Sequence, residues 1–235
     1  MNSKTDDRQT AGRNSGGIKP GSKTTGRATS NPGELSNLFP EFQEIWAVIL
    51  AAGESKRMGE PKLLLPLAGR TMIEAVVERV LASRADRTAV VLGAERERIE
   101  AQLGRFPVKI IFNPDYKSGM LSSVIRGIAA LPVSVRAAAV LLADQPFITP
   151  GVIDAVIAAY EEKKRGIVLP ICGGRRGHPL LLDMKYREEI GRLNPAIGLK
   201  ELLLKHPEDI QEVPVLDAGI LLDIDDRADY LRTRK

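Results

Sequence analysis

Four short apolar runs, each separated from the next by a stretch of helical periodicity, constrain the fold of this chain more than any other feature. The runs are IWAVILAAG from Ile45, RTAVVLG from Arg87, VKIIFN from Val108 and AAAVLLAD from Ala137. Short runs that are apolar on both faces are typical of strands buried in a parallel sheet. The stretches between them place apolar residues at intervals of three and four. The pattern therefore predicts an α/β fold with right-handed crossovers and a doubly wound, mostly parallel, Rossmann-like sheet.

The second half of the chain is less regular. Thr149 followed by Pro150 predicts the start of a helix that runs to about Lys164, because a capping hydroxyl and a proline in the first turn both favour helix initiation. Beyond it, the strand-like runs GIVLPI, HPLLLD, IQEVPV and ILLDI alternate with short helical stretches, the last from about Asp226. Short edge strands, some of them antiparallel, fit this part of the sequence.

Composition places the chain among globular proteins and excludes several classes of site. Hydrophobic residues make up 43% and charged residues 27%, close to the globular average. The single cysteine excludes a disulfide framework, and the two distant histidines leave little for a histidine-rich metal centre. There is neither a spanning apolar run nor the apolar core of a secretory signal. We therefore expect a soluble cytoplasmic protein that does not bind membranes.

The first 40 residues differ in composition from the rest of the chain. They are rich in Ser, Thr, Gly, Asn and Lys, so burial cannot offset the entropy lost on ordering them. Residues 1–35 hold six basic and three acidic side chains, about +3 of the net charge of +4. We predict a disordered basic extension over 1–40 and one domain over 41–235. An arm for an acidic partner, a targeting leader and a solvated extension all fit 1–40. The near-neutral remainder and the 4% of aromatic residues disfavour a nucleic-acid partner.

The loop after the first run combines the features of a phosphate site. Its first residues carry little side chain, so a ligand can touch the backbone, and a hydroxyl and three cations follow. Converging N–H donors, a bidentate guanidinium and a lysine are what a polyphosphate needs. The spacing matches neither a Walker loop nor G-x-G-x-x-G, and a glycine turn with solvent-facing cations is the alternative. The candidate ligand-binding residues of this loop are Leu50, Ala51, Ala52, Gly53, Ser55, Arg57 and Lys62.

Asp144 follows the fourth run, at the same edge of the predicted sheet. Since Thr149 and Pro150 already start the next helix, the Asp144 carboxylate is not needed as a cap. A carboxylate opposite a phosphate loop is the expected seat of Mg²⁺, which takes one or two carboxylates together with phosphate oxygens and water. The ligand crevice of such sheets lies beyond the carboxyl ends of the strands. We therefore expect Arg57 and Lys62 to face Asp144 across one cavity.

A second acidic cluster precedes the final helix. Asp226 suits the N-cap position, with Asp229 three residues later. This leaves Asp223 and Asp225 without a structural role, and either can contribute to a metal site. A purely solvated acidic turn is the alternative.

Polar residues also lie where the third run leads into a helix. The set comprises Asn113, Gly119, Ser122 and Ser123. With the free amides of a first helical turn, these residues could hold a ribose, a base edge or an acceptor phosphate. Ordinary serines of an N-terminal turn are the alternative.

Five ordered motifs between residues 45 and 230 resemble the MobA-like NTP transferase family, and within it the molybdenum cofactor cytidylyltransferases. They are L-A-A-G-x-S-x-R-M-G-x-x-K-L-L-L-P-L from Leu50, N-P-D-Y-x-x-G-M-x-x-S from Asn113, A-D-Q-P from Ala143, G-H-P from Gly177 and L-D-I-D from Leu222. In this family the segment that corresponds to the second acidic cluster resembles D-x-D-T-P-E-D, whereas Asp226-Arg227 replaces the Thr-Pro pair in this chain.

The resemblance implies a nucleotidyltransferase that moves CMP from CTP to the terminal phosphate of molybdopterin cofactor and releases pyrophosphate. It implies that Lys62, Arg57 and Asp144 are catalytic, and that the loop residues and those from Asn113 to Ser123 bind the nucleotide. Mg²⁺ would lie on Asp144 with Asp223 or Asp225, and His178 would contact the acceptor. The Ala-Ala-Gly form of the loop is similar to that of CTP users.

Alternatives stay open at this point. The same fold can act on another phosphorylated or acidic acceptor, and a non-catalytic chaperone could bind nucleotide or pterin without transfer. The implied partners are CTP, a molybdopterin-type acceptor and a molybdoenzyme or its maturation chaperone.

Overall fold

Residues 44–163 and 165–233 are described by the structure, which is a computed structural model. The predicted extension over 1–40 lies outside the described residues. That extension and the domain boundaries at 41 and 235 therefore stay predictions. No helix in the described part of the chain is both long and apolar enough to traverse a bilayer.

The four predicted runs all form strands, and the helices between them form as predicted. The strands of the described residues are β1 (Ile45–Ala51), β2 (Pro66–Leu67), β3 (Arg70–Thr71), β4 (Arg87–Leu92), β5 (Val108–Phe112), β6 (Ala137–Leu142), β7 (Ile167–Cys172), β8 (Arg175–Arg176), β9 (Leu180–Asp183) and β10 (Ile210–Pro214). The α-helices are α1 (Met72–Leu81), α2 (Arg96–Leu103), α3 (Met120–Ala129), α4 (Pro150–Lys163), α5 (Arg187–Ile190), α6 (Lys200–Lys205) and α7 (Arg227–Arg232).

One sheet has the strand order β10-β7-β9-β6-β1-β4-β5, with β8 paired to β7. All neighbours are parallel except at β8 and β9. The prediction of a mostly parallel sheet with short antiparallel elements is confirmed. However, β9 lies inside the sheet, between β6 and β7, and not at an edge. Only seven residues join β7 to β9, too few for the helical crossover that a parallel neighbour requires, so β9 runs antiparallel.

The sheet is covered on both faces, as the apolar runs predict. Every residue of β1 is buried. Ala47 and Ile49 face a core that also contains the apolar residues of α1, α2 and α4. Val48 and Leu50 face a second core, shared with α3, α5 and α6. Alternate residues of one strand therefore enter different cores, and the fold is doubly wound.

The run ILLDI does not form a strand, so this prediction is wrong. A 3₁₀ helix spans Ala218–Leu221, and the chain is irregular until α7 begins. The Ile224 amide donates to the Asp144 carbonyl at 2.9 Å, which ties this segment to the end of β6 instead of to a sheet edge. The predicted cap is confirmed, because the Asp226 carboxylate accepts the Asp229 amide at 2.9 Å.

A short hairpin formed by β2 and β3, each two residues long, was not predicted from the sequence. Its turn places Ala68 and Gly69 at φ 50° and 82°, the left-handed geometry of tight hairpin turns. The Tyr230 hydroxyl of α7 donates to the Pro66 carbonyl at 2.6 Å, so the last helix is anchored on this hairpin.

Candidate active site

The strand order reverses between β1 and β6. After β1 the chain adds β4 and β5 on one side and then returns to place β6 on the other, and a crevice forms at such a point beyond the carboxyl ends of the strands. A cavity of about 380 Å³, here called the active-site cleft, lies at this position. It is lined by Leu50, Ala51, Gly53, Ser55, Lys56, Arg57, Lys62, Leu63, Met120, Leu142, Ala143, Asp144, Asp223 and Asp225.

Lys62 joins the loop after β1 to the loop after β6. Its Nζ donates to Asp144 Oδ2 at 2.7 Å, to the Ile224 carbonyl at 3.0 Å and to Asp225 Oδ1 at 3.3 Å. The Lys62 side chain is only 13% exposed. Because little water competes for the ammonium group, its three protein contacts fix the position of the side chain. The structure thus brings the predicted cation and the predicted carboxylate together in one cavity.

Arg57 belongs to the same network but stands at the mouth of the cleft. Its Nη2 lies 3.0 Å from Asp225 Oδ2, and its side chain is 71% exposed. Both oxygens of Asp225 are therefore engaged by cations, one by Arg57 and one by Lys62. The loop is also tied to α7, because Arg227 donates to Glu60 at 2.7 Å.

Ser55 shapes the loop that carries these cations. Its φ of 53° lies in the left-handed region, which costs a non-glycine residue about 1–2 kcal/mol. The Ser55 hydroxyl accepts the Lys62 amide at 3.2 Å, and its carbonyl accepts the Met58 amide at 2.9 Å. The hydroxyl is thus bonded within the loop and helps to position Lys62.

The small residues at the end of β1 divide into two groups. A Cβ added to Gly53 would meet no atom within 4 Å, so the backbone there opens onto the cleft. Ala52 is buried outside the lining of the cleft, and its carbonyl accepts the Ala94 amide at 3.2 Å. Leu50 and Ala51 line the cleft directly.

The carboxylates of the cleft have different partners. Asp144 receives the Lys62 ammonium, and Asp223 Oδ1 accepts the Gln145 amide at 2.5 Å. Among the described residues, no group of three or more His, Cys, Asp or Glu side chains could hold a metal by itself. Mg²⁺, however, is usually bound by one or two carboxylates together with substrate phosphates. Two hard carboxylates beside a cationic loop fit that donor set.

The polar residues after β5 mainly bond to one another. Asn113 is buried, and its Nδ2 donates to Ser122 Oγ at 2.9 Å and to Ser123 Oγ at 3.0 Å. The Ser122 hydroxyl donates to the Gly119 carbonyl at 2.8 Å. Neither Asn113 nor these three residues line the cleft. The neighbouring Met120 does, and it is exposed there.

His178 is not among the residues that line the cleft, but it is close enough to Asp223 and Asp144, which do line it, for their charges to act on its imidazole. Burial lowers the pKa of its imidazole below the usual range, and the charges of Asp223 and Asp144 oppose this shift. The ring is therefore neutral near pH 7, and it can donate or accept a hydrogen bond.

Two residues outside the candidate set belong to the site. Met120 lines the cleft, and Gln145 holds Asp223, whereas Lys56, which also lines the cleft, is one of the three cations noted in the loop sequence. Gln145 directly follows Asp144, and Met120 directly follows Gly119, so adjacency to candidate residues was the available signal.

Comparison with known proteins settles the family. A model of the MobA-like NTP transferase domain matches residues 47–210. The chain belongs to the MobA-like NTP transferase family. The prediction of an α/β nucleotidyltransferase enzyme is confirmed at this level, and the matched range contains the loop after β1, the Asn113 turn, Asp144 and the Gly-His-Pro motif.

Relatives of this MobA-like chain carry different names. Nicotine blue oxidoreductase of Paenarthrobacter nicotinovorans is 32% identical, over 77% of this chain and 92% of its own length. Molybdenum cofactor cytidylyltransferase of Escherichia coli K12 is 28% identical, over 80% of this chain and 94% of its own length. A probable molybdenum cofactor guanylyltransferase of Mycobacterium avium is 29% identical over the same shares. Overall identity therefore does not separate the cytidylyl from the guanylyl branch.

A solved structure shares the fold of this MobA-like domain. It is a Mycobacterium tuberculosis protein in complex with manganese, with a TM-score of 0.69 and 23% identity, and the match covers 81% of this chain and 97% of the other. The likeness establishes the common architecture. Divalent-metal dependence is typical of this family of transferases.

Proposed function

We propose that this chain transfers CMP from CTP to the terminal phosphate of a molybdopterin cofactor and releases pyrophosphate, with Mg²⁺ as cofactor. The observation that carries the proposal is the 2.7 Å contact of Lys62 with Asp144, which brings a cationic loop and a carboxylate able to hold Mg²⁺ into one cleft. The Ala51-Ala52-Gly53 form of the loop and the relative named as a cytidylyltransferase support CTP as the donor.

The reaction is a displacement at the α-phosphorus of the nucleotide. An oxygen of the acceptor phosphate forms a bond to this phosphorus, the bond to the bridging oxygen breaks, and its electron pair leaves with pyrophosphate. A phosphate acceptor is already ionised near neutral pH, so no strong general base is needed and positioning carries the rate. Lys62 stabilises charge on the α-phosphate, and the guanidinium of Arg57 binds the departing pyrophosphate.

The three aspartates have separate tasks in this proposal. Asp144 and Asp223 would hold Mg²⁺ together with phosphate oxygens, and the bound ion neutralises charge on the triphosphate. Asp225 holds Lys62 and Arg57, because both of its oxygens contact these cations. Leu50, Ala51, Gly53 and Ser55 form the backbone cradle, and His178 is the proposed acceptor contact.

Pyrophosphate release tests the proposal directly. The chain is incubated with Mg²⁺, one of the four common nucleoside triphosphates and molybdopterin cofactor, and the dinucleotide product is identified by mass spectrometry. We expect release with CTP and the pterin together. Release with GTP in place of CTP would refute the base preference, and release with a sugar phosphate or polyol phosphate in place of the pterin would refute the acceptor. In the cytoplasm, the product would pass to a molybdoenzyme or its maturation chaperone.

A second candidate follows from the relative named nicotine blue oxidoreductase. If such an oxidoreductase drew its electrons from a reduced nicotinamide dinucleotide, the loss of absorbance at 340 nm would detect it. The clustered Lys62, Arg57 and Asp144 favour phosphoryl chemistry, because a hydride transfer has no need of a cation and carboxylate pair of this kind. Oxidation without pyrophosphate release would favour the second candidate.

A further inference from the structure

Gln145 has a buried side-chain amide beside the active-site cleft, and the oxygen of this amide has no hydrogen-bond partner among the described residues. Gln145 is 5% exposed and directly follows Asp144. Its Nε2 donates to Asp223 Oδ1 at 2.5 Å. Its Oε1 is buried and has no hydrogen-bond partner among the described residues. The contact with a carboxylate fixes which end of the amide is the donor, since two facing oxygens would repel each other.

Fold stability does not account for this arrangement. A buried acceptor without a partner costs about 1–3 kcal/mol, whereas an apolar side chain of the same length would carry no such cost. The NH₂ group of the Gln145 side chain makes one hydrogen bond, to the carboxylate of Asp223. Asp223 itself lies in the irregular, exposed segment before α7, where no strand or helix orients it.

Asp225, two residues later, has both carboxylate oxygens in contact with cations. Its two oxygens contact Lys62 and Arg57. In Asp223, by contrast, Gln145 engages Oδ1, and no cation of the described residues pairs with Oδ2. Gln145 therefore holds the carboxylate in one orientation without neutralising its charge.

We propose that Gln145 is a positioning residue that orients Asp223 for a divalent cation in the active-site cleft. This inference deepens the proposed function, because it concerns the cation of the same site. Partners in the second coordination shell that orient a ligand typically change metal affinity by about 10–100-fold when they are removed.

Direct binding of Mn²⁺ tests the inference without turnover. MnCl₂ is titrated into the full chain without nucleotide, and free Mn²⁺ is measured by electron paramagnetic resonance. Gln145→Met keeps the length of the side chain and removes both the donor and the unpaired acceptor. We expect about 10-fold weaker Mn²⁺ affinity in this variant, with a melting temperature in metal-free buffer that equals or exceeds that of the wild type.

The chain offers a matched control. Gln211 of β10 also has a buried Oε1 without a hydrogen-bond partner among the described residues, and it lies outside the cleft. Gln211→Met should leave Mn²⁺ affinity unchanged. In the Asp223→Asn background, Gln145→Met should weaken Mn²⁺ binding no further, because both changes act through the same carboxylate.

Two results would overturn the inference. One is Mn²⁺ affinity in Gln145→Met equal to that of the wild type; if the melting temperature falls as well, the amide has a purely structural role. The other is the absence of measurable Mn²⁺ binding by the wild type. Pyrophosphate release by the wild-type chain is measured separately. An inactive chain in which Gln145→Met still weakens Mn²⁺ binding would refute the proposed function and leave this inference standing.

Discussion

Replacing Lys62 by methionine separates two tasks of one side chain: the counter-charge to two carboxylates, which the structure shows, and the contact with substrate phosphate, which we propose. The ammonium contacts Asp144, Asp225 and a backbone carbonyl, all within 3.3 Å. Lys62→Met keeps the apolar stem and removes the charge. Two carboxylates of the cleft then lose their shared counter-charge, and under the proposed function the substrate phosphates lose a donor.

The effect on stability follows from the distances and the exposure of the partners. At 2.7 Å, unit charges attract by about 6 kcal/mol at an effective dielectric constant of ~20. Breaking a fully buried pair costs about 3–5 kcal/mol, and an exposed pair is worth no more than about 1 kcal/mol. Asp144 is 25% exposed and Asp225 is 34% exposed, so water reaches both. We therefore expect a loss of about 1–2 kcal/mol, intermediate between these limits.

Unfolding and pyrophosphate release measure the two tasks independently. Urea titration gives the free energy of unfolding, and a thermal scan gives the melting temperature. Lys62→Met should melt about 2–8 °C below the wild type, and its turnover should fall by on the order of 10² or more. Adding Asp144→Asn should restore at least half of the lost stability, because the uncompensated charge is gone, but turnover should stay low. A rate within threefold of the wild type in Lys62→Met, or no recovery of stability in the double variant, would refute this account of the cleft.

Three further predictions concern packing, protonation and capping. Gly127→Ala places a Cβ 2.8 Å from Val48 Cγ1, so it should lower the free energy of unfolding in urea by about 1–3 kcal/mol. Burial lowers the pKa of His178 below 6.5 in the folded chain, so as the pH falls the unfolded chain binds this proton first. The contribution of His178 to the free energy of unfolding is therefore unchanged above about pH 7 and becomes unfavourable as the pH drops through 6.5. His178→Gln should therefore lose less stability between pH 7 and pH 5, and an equal loss would contradict the shift. Asp226→Ala should destabilise the chain by about 1 kcal/mol with unchanged turnover, and a large loss of activity would place Asp226 in the site.

Local periodicity was enough to predict the central part of the fold. The runs that form β1, β4 and β6 are apolar on both faces because they lie inside the sheet, and such runs have few alternatives. The approach of Lys62 to Asp144 was also predictable, although the two residues are far apart in sequence. Each follows a parallel strand, and the carboxyl ends of parallel strands share one edge of the sheet.

The second half was less predictable because its geometry depends on partners distant in sequence. HPLLLD reads as a strand, but nothing within it specifies a place between β6 and β7. The run ILLDI is apolar enough for a strand, yet its Ile224 amide bonds to the end of β6, and the side chains of Ile220, Leu221 and Ile224 pack on the core. Tertiary contacts determine the position of β9 in the sheet and the conformation of ILLDI, and the local periodicity of the sequence carries no information about such contacts.

Asp223 and Asp225 show the same limit at the level of single side chains. They are the same residue type, two positions apart, and the sequence offers no basis for giving them different tasks. Their difference comes from residues of other loops: Arg57 and Lys62 reach Asp225 from the loop after β1, and Gln145 reaches Asp223 from the turn after β6. A carboxylate engaged by cations on both oxygens is suited to holding those cations, whereas one oriented by a neutral amide keeps its charge for a ligand. The difference between these two carboxylates is therefore a property of the assembled fold.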